Sequence, residues 1–279
     1  MSNLGMHYKQ TIHSMIRSHI RSLWTSIARV LTIRRARSVL RLGVVHIFPI
    51  LLLGIVLLGG VGCATMGFKA ADYNPHIVPA DFREVVDNPY FPLKPGTMMK
   101  YIVKEKGETS DNYMEVTRYT KTIMGVKCVV LHDTVLKNGV LREESINWYA
   151  QDKEGAVWYF GEDSKEFNDS GVLVSTLGSW EGGGNGALPG IVMPGQPKVG
   201  QPAYRQEYYR GEAEDMGQVA ALDEEVSVPF GTFKGCLKTD EWSMLESDTE
   251  NKWYAKDIGW VKSVTMSGEV SELVFITQK

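Results

Sequence analysis

The chain is poor in the residues on which common catalytic and metal-binding schemes depend. Only two of its six histidines, His76 and His132, follow position 62, and no His cluster or Cys-x-x-Cys pair is present to hold zinc. A phosphate-binding P-loop, a His-Glu-x-x-His helix and the Gly-x-Ser-x-Gly turn of serine hydrolases are also missing. We therefore expect a protein without a catalytic residue of these types, a cofactor or a bound metal.

Acidic residues are missing from the first 62 positions, which contain eight of the 30 basic residues. After position 62 the chain therefore has 33 acidic and 22 basic residues, which gives this part a net charge of about −11. A region with this much negative charge repels the phosphate backbone of nucleic acids, so we expect no nucleic-acid partner.

An uncharged apolar segment at positions 44–61 follows the basic residues. A positive region, an apolar region and a small-residue exit together indicate an export signal. Residues 57–63, Leu-Leu-Gly-Gly-Val-Gly-Cys, resemble a bacterial lipobox, in which the cysteine, here Cys63, is acylated after cleavage; Gly60 departs from the preferred Leu. A transmembrane helix over 44–61 is the alternative, at the lower limit of spanning length. Either anchor places the protein in the bacterial cell envelope, facing the periplasm or the exterior.

The first 43 residues are long for the start of a signal. Apolar residues at three-and-four spacing between positions 12 and 31 predict a basic amphipathic helix, whereas a true start near Val39 would leave a signal of ordinary length. We divide the chain into a basic and apolar export signal (1–62), a lipidated cysteine with a flexible tether (63–87) and a single β domain (88–279).

The β domain is predicted from short stretches rich in β-branched and aromatic residues, separated by turn signals. Its halves, 91–161 and 196–277, share the motif Trp-Tyr-Ala at 148–150 and 253–255, which indicates an internal duplication or a chance recurrence. A five-stranded half would expose two edges. We therefore expect two antiparallel meanders to join in one curved sheet or barrel of roughly eleven strands, able to enclose a cavity.

A Gly-rich hinge at 162–195 connects the two halves. Trp180 in this hinge either covers the cavity mouth as a lid, with Glu181 as its polar contact, or plugs the end of the sheet. The candidate ligand-binding residues are Trp148, Trp158, Trp180, Glu181, Tyr208 and Trp253. Two further cysteines, Cys128 and Cys236, either form a disulfide or remain buried thiols.

Four pieces of the domain resemble a group of uncharacterised bacterial exported proteins and lipoproteins: NPYFPLKPG, WYAQDKEGAVWYFGE, GSWEGGGNGALPGIVMPG and RQEYYRGEAED. The resemblance covers about 88–279 and implies no activity. Three functions remain open. The first is a lipoprotein that binds an apolar or amphipathic ligand, such as a lipid, inside the sheet. The second is an envelope interaction or structural module, and the third is a hydrolase whose carboxylates come from Asp152, Glu162, Glu181 and Glu207.

Overall fold

The computed structural model describes residues 73–278, and its regular elements are β-strands apart from one 3-10 turn at Pro79–Asp81. Within that range no helix is long and apolar enough to cross a membrane. The predicted signal helix, the apolar segment 44–61 and Cys63 lie outside the described residues.

Eighteen strands, numbered in chain order, occur within residues 73–278. The first eight are β1 (Phe82–Arg83), β2 (Val86–Asn88), β3 (Phe91–Leu93), β4 (Thr97–Glu105), β5 (Glu108–Ile123), β6 (Val126–Lys137), β7 (Val140–Asp152) and β8 (Val157–Phe167). The middle of the chain forms β9 (Leu173–Ser175), β10 (Trp180–Glu181), β11 (Leu188–Met193), β12 (Tyr204–Arg205) and β13 (Glu207–Tyr208). The last five are β14 (Asp215–Val228), β15 (Gly231–Ser243), β16 (Thr249–Ala255), β17 (Gly259–Thr265) and β18 (Val270–Gln278).

One antiparallel sheet contains all of these strands except the β2–β3 pair. Its main path runs β12-β14-β15-β16-β17-β18-β4-β5-β6-β7-β8-β11-β13, while β1, β9 and β10 attach at its side. The two predicted meanders meet edge to edge at β18 and β4, from Val270 opposite Lys104 to Gln278 opposite Thr97. Only Gln206 separates β12 from β13, although they lie at opposite ends of the path. The all-β prediction is therefore confirmed as a nearly closed curved sheet of 13 strands.

The stretch 162–195 is part of this sheet, where a hinge is predicted. It completes β8, adds the short strands β9 and β10, and supplies β11, which pairs with β8 on one side and β13 on the other. The physical reason is the apolar run Leu188–Met193, whose residues Pro189, Gly190 and Met193 are buried. Burying these residues requires cover that a solvent-exposed hinge would not have.

The two Trp-Tyr-Ala motifs have similar local environments. A lysine ammonium lies over the tryptophan ring of each, Lys121 at 3.5 Å in 148–150 and Lys238 at 5.3 Å in 253–255. The ladder register shifts between the Trp and the Tyr in both motifs, and both tyrosines are buried. These equivalences agree with an internal duplication, which stays a prediction.

An apolar core fills one part of the sheet interior. Its fully buried members include Tyr101, Val116, Leu131, Val157, Leu237, Val261 and Leu273. Each such side chain contributes about 1.5–3 kcal/mol by leaving water. This core holds the inner faces of both meanders together.

A second apolar cluster lies on the opposite face of β5 to β8. It contains Ile123, Val126, Cys128, Val130, Trp148, Ala150 and Phe160. Residues of the predicted tether cover it: Phe82 packs edge-on against the rings of Trp158 and Phe160. Before it, the Tyr73 hydroxyl donates to the Pro189 carbonyl at 2.7 Å. The part of the tether that the structure describes, 73–87, is therefore packed on the sheet because its aromatic residues need apolar cover.

The possible disulfide between Cys128 and Cys236 is not formed. Both residues are free, buried thiols. Cys128 lies on β6 and Cys236 on β15, and five strands separate these two along the sheet. Cys236 belongs to the core inside the sheet and Cys128 to the second cluster, which lies on the opposite face, so the two thiols do not meet within the roughly 7 Å that a disulfide allows between Cα atoms.

Candidate functional site

The inward-facing residues change from apolar to polar along the strands. On β7 the inward series runs Tyr149, Asn147, Ser145 and Glu143 toward the β6–β7 turn, since alternate residues of a strand share one face. A polar series on β5 ends at Glu108 in the same way. The sheet interior is thus a packed core in one part and a polar cup in the other.

A cavity of about 320 Å³ occupies this cup. Its lining residues are Val103, Glu105, Glu108, Ser110, Asn112, Asp133, Val135, Lys137, Glu143, Trp260, Glu269 and Ser271. Five of them are carboxylates, and Lys137 is the single basic residue in this lining. The cavity is therefore strongly acidic.

Strand pairing places three of these carboxylates directly opposite another carboxylate. Glu105 lies opposite Glu108 on β5, and Glu143 lies opposite Glu166 on β8. Like charges in directly opposed positions destabilise a sheet. The requirements of folding therefore do not explain the acidity of this wall.

The carboxylates differ in whether the protein neutralises them. Lysine ammonium groups pair with two at the rim, Glu105 with Lys106 and Glu108 with Lys137. Within residues 73–278, the other three form no ion pair. These three are Asp133, Glu143 and Glu269.

Burial without a cation raises the pKa of each of the three. Asp133 is raised to a pKa of about 7, by burial first and then by the nearby charges of Glu143 and Glu162, although the amide of Asn112 donates to it. Burial also raises the pKa of Glu143 and of Glu269, and further carboxylates add to both shifts. A bound cation would reverse these shifts, because it favours the charged form of a carboxylate.

Aromatic and apolar residues complete the cavity wall. The Trp260 ring stacks on Tyr101 with centroids 4.2 Å apart, and the Tyr101 hydroxyl donates to the Trp260 carbonyl at 2.8 Å. Val103 and Val135 add apolar surface. Carboxylates beside an aromatic ring provide both charge and a π face for a cation.

Of the candidates predicted from sequence, Trp180 and Glu181 do not line this cavity. Trp180 is a buried core residue, edge-on to Tyr159 at 5.3 Å, and its indole nitrogen donates to Glu207 at 2.9 Å. It thus occupies a plug position and not that of a lid. Glu181 points outward and pairs with Lys121.

The remaining four aromatic candidates also lie away from the cavity lining. A lysine ammonium lies over the ring of Trp148 and over that of Trp253, as described above. The Trp158 indole donates to Asp152 at 2.7 Å, and its ring packs on the second apolar cluster. Tyr208 packs edge-on against Tyr73 with ring centroids 5.9 Å apart.

Sequence reasoning missed the residues that do line the cavity. The available signal was the alternation of small polar and acidic residues toward the strand ends, as in Glu108, Ser110 and Asn112 on β5. This pattern is typical of a solvent-exposed face as well as of a polar interior, so it does not identify a cavity by itself.

No protein-family model matches this chain, and no curated protein matches it either. Among solved structures, a Bacteroides fragilis protein described as exported and as having a YmcC-like fold is 14% identical, with a TM-score of 0.43, over 68% of this chain and 99% of its own. A Parabacteroides distasonis protein described as a lipoprotein is 12% identical, with a TM-score of 0.38, over the same shares. At these identities and TM-scores, neither likeness assigns a function to this chain.

Proposed function

We propose that this chain is a non-catalytic envelope lipoprotein, anchored through acylated Cys63, which binds a small amphipathic organic cation in the acidic cavity. The observation that carries the proposal is the group of three carboxylates, Asp133, Glu143 and Glu269, that surround a cavity without an ionic partner in the described chain. Their side chains supply the charge that the ligand must match.

Electrostatics favours a cation over an anion or a neutral molecule. A unit positive charge about 4 Å from a carboxylate gains about 4 kcal/mol at an effective dielectric constant of about 20. Desolvation of both groups offsets part of this gain. An anion at the same place would be repelled by every carboxylate of the wall, with Lys137 already paired to Glu108.

The size and the wall of the cavity restrict the ligand further. About 320 Å³ is at the lower end of the range of small-molecule sites. Trp260, Val103 and Val135 suit a short apolar portion next to the charged group. Of the apolar and amphipathic ligands expected from sequence, the amphipathic class therefore fits this wall better.

Calorimetric titration of the full-length protein in a mild neutral detergent tests the proposal. The probes are hexylamine, hexanoate and hexanol, which share a chain length and differ in charge. We expect hexylamine to bind, and hexanoate and hexanol to bind at least tenfold more weakly. Equal binding of all three, or no binding of hexylamine, would contradict the proposal.

Two variants locate the binding site. Asp133→Asn and Glu143→Gln should each weaken hexylamine binding several-fold, because each removes one charge from the wall. Asp163→Asn is the matched control, since Asp163 lies on β8 opposite Ile146, on the outer face of the sheet. A loss of binding in the control alone would place the amine elsewhere.

One observation favours the interaction module as a second candidate. The β8–β9 hairpin and the loop after it expose four large apolar residues, namely Val172, Leu173, Val174 and Leu177. A photo-crosslinking residue at position 174 should trap a partner in intact cells, and Leu177→Ser should reduce this product. Trapping that is unchanged by Leu177→Ser would argue against an apolar docking surface.

Of the four carboxylates considered for the hydrolase alternative, only Glu162 and Glu207 interact with each other. Glu181 is on the outer face with Lys121, and Asp152 accepts hydrogen bonds from the Trp158 indole and the Ala156 amide. Neither of them faces the interior with Glu162, so the four candidate carboxylates do not form one cleft.

A further inference from the structure

The two ends of the sheet meet at a short seam formed by residues 204–208 between β14 and β11. Only two residue pairs join β12 to β14, and only two join β13 to β11. Between them the Gln206 amide donates to the Asp215 carbonyl at 2.8 Å. Along the main path of the sheet, the seam junctions therefore have the fewest ladder pairs, and local opening begins most easily in such regions.

Close backbone approach keeps the seam tight. A Cβ at Gly190 on β11 would lie 2.4–2.6 Å from backbone atoms of Arg205 and Gln206. Only glycine permits this distance. The seam therefore depends on fitted contacts over five residues, and not on a long ladder.

Three carboxyl groups lie behind this seam, one from each of three strands. Glu207 comes from β13, Glu162 from β8 and Asp215 from β14. Glu207 is buried, accepts the Trp180 indole N–H and interacts electrostatically with both of the other carboxyls. Three ionised carboxylates so placed would repel one another across the join.

The other groups facing Glu207 do not neutralise it. Lys252 on β16 acts electrostatically on Glu207, but its ammonium already pairs with Glu241 at 2.9 Å and Glu250 at 3.1 Å. Arg205, in the seam itself, pairs with Glu214 at 3.7 Å, and its guanidinium lies over the rings of Tyr73 and Tyr208. The phenols of Tyr149 on β7 and Tyr159 on β8 are buried nearby and carry no compensating charge.

We propose that the seam is a proton-operated closure, which holds while Glu207 carries its proton and loosens when Glu207 ionises. The inference goes beyond ligand binding and applies with the cavity empty or filled. Burial, followed by the charges of Asp215 and Glu162, raises the pKa of Glu207 well above its ordinary value. The pKa of Glu162 is raised to about 7, again with burial as the largest cause.

The direction of the pH dependence follows from these shifts. The closed seam favours the neutral acid, whereas an open seam exposes Glu207 to water and restores an ordinary pKa. The closure is therefore strongest at low pH and weakens as the pH rises above the ordinary pKa toward the raised one. Each unit of pKa difference changes the closed-to-open ratio by about tenfold.

Hydrogen exchange of the full-length protein between pH 6 and pH 9, corrected for intrinsic exchange rates, tests the proposal. Protection of amides in 188–193 and 204–208 should fall at least about tenfold over this range. Protection of the β5–β6 ladder should stay constant. Glu207→Gln, which is neutral and still accepts the Trp180 hydrogen bond, should keep the seam protected at pH 9.

The exposed Glu212, four residues after the end of the seam, provides the matched control. Glu212→Gln should exchange like the wild type at every pH. Wild-type seam protection that does not change with pH would overturn the proposal without need of any variant. An unchanged pH dependence in folded Glu207→Gln would overturn it as well.

Discussion

Replacing Asp133 by Asn should stabilise the protein at alkaline pH and leave it nearly unchanged at acidic pH. The pKa of Asp133 is raised to about 7 from an ordinary value of 3.8. A carboxyl with a raised pKa binds its proton more tightly in the folded state. Asp133 therefore costs stability progressively as the pH rises from about 4 to about 7, and the cost is complete above that.

The size of the effect follows from the shift. A difference of about three pKa units corresponds to about 4 kcal/mol. Asp133 is only partly shielded from solvent, which moderates this value, and we expect Asp133→Asn to be about 2–4 kcal/mol more stable than the wild type at pH 8. The substitution keeps the hydrogen bond from Asn112, because the new amide oxygen can accept it.

Urea unfolding of the full-length protein, followed by tryptophan fluorescence at pH 4 and pH 8, measures both differences. The control Asp163→Asn, on the outer face of β8, should stay within about 0.5 kcal/mol of the wild type at both pH values. A variant no more stable than the wild type at pH 8, or a gain that is equal at both pH values, would refute the reasoning about an unpaired cavity carboxylate.

Three further predictions concern packing. Gly190→Ala should lower stability by about 1–3 kcal/mol or more, since its methyl group overlaps backbone across the seam; a thermal melt unchanged from the wild type would exclude the close approach. Trp180→Phe should cost about 1–3 kcal/mol in urea unfolding, because the ring is shortened and Glu207 loses a donor; the loss should become smaller in the Glu207→Leu background, where only the packing part remains. Cys128 and Cys236 should resist a thiol reagent in the folded protein and both react in guanidinium without a reductant; reaction in guanidinium only after a reductant is added would indicate a disulfide.

The strands of the two meanders were predictable because each is a run of β-forming residues bounded by turn residues. Asn138 and Gly139, for example, form the β6–β7 turn with positive φ, as that dipeptide predicts. The seam was not predictable, since β12 and β13 have two residues each and no period can be measured over two residues. The sheet closes at the seam through a close backbone contact at Gly190. The sequence does not show which of its glycines makes such a contact.

The cavity was missed because alternation divides a strand into two faces without saying which one is inside. His132 and Asp133 are neighbours on β6 and show this division: the His132 ring nitrogen lies 3.0 Å from Glu144 on the neighbouring strand, on the outer face. Asp133 points the other way, into the cavity. When part of an interior is polar, hydrophobicity no longer marks the inner face.

The aromatic candidates lie outside the cavity lining. Trp148 is a buried member of the second apolar cluster and Trp253 is half-buried, and a lysine ammonium lies over each ring, Lys121 over Trp148 and Lys238 over Trp253. The aliphatic stems and charged ends of these lysines can cover a ring on an outer face. Nothing in the alternation pattern separates such a covered ring from one in the core.

The pairing of β18 with β4 has a consequence for biosynthesis. These strands meet in the middle of the sheet although more than 160 residues separate them in the chain, with Gln278 opposite Thr97. A nascent chain that has not yet reached Val270 holds two meanders whose central edges are both unpaired, and such edges recruit other strands. Contacts this distant in sequence also form slowly. The polypeptide therefore remains open to aggregation and proteolysis until its last described strand emerges, and an export pathway that delivers it unfolded would postpone this hazard until translocation is complete.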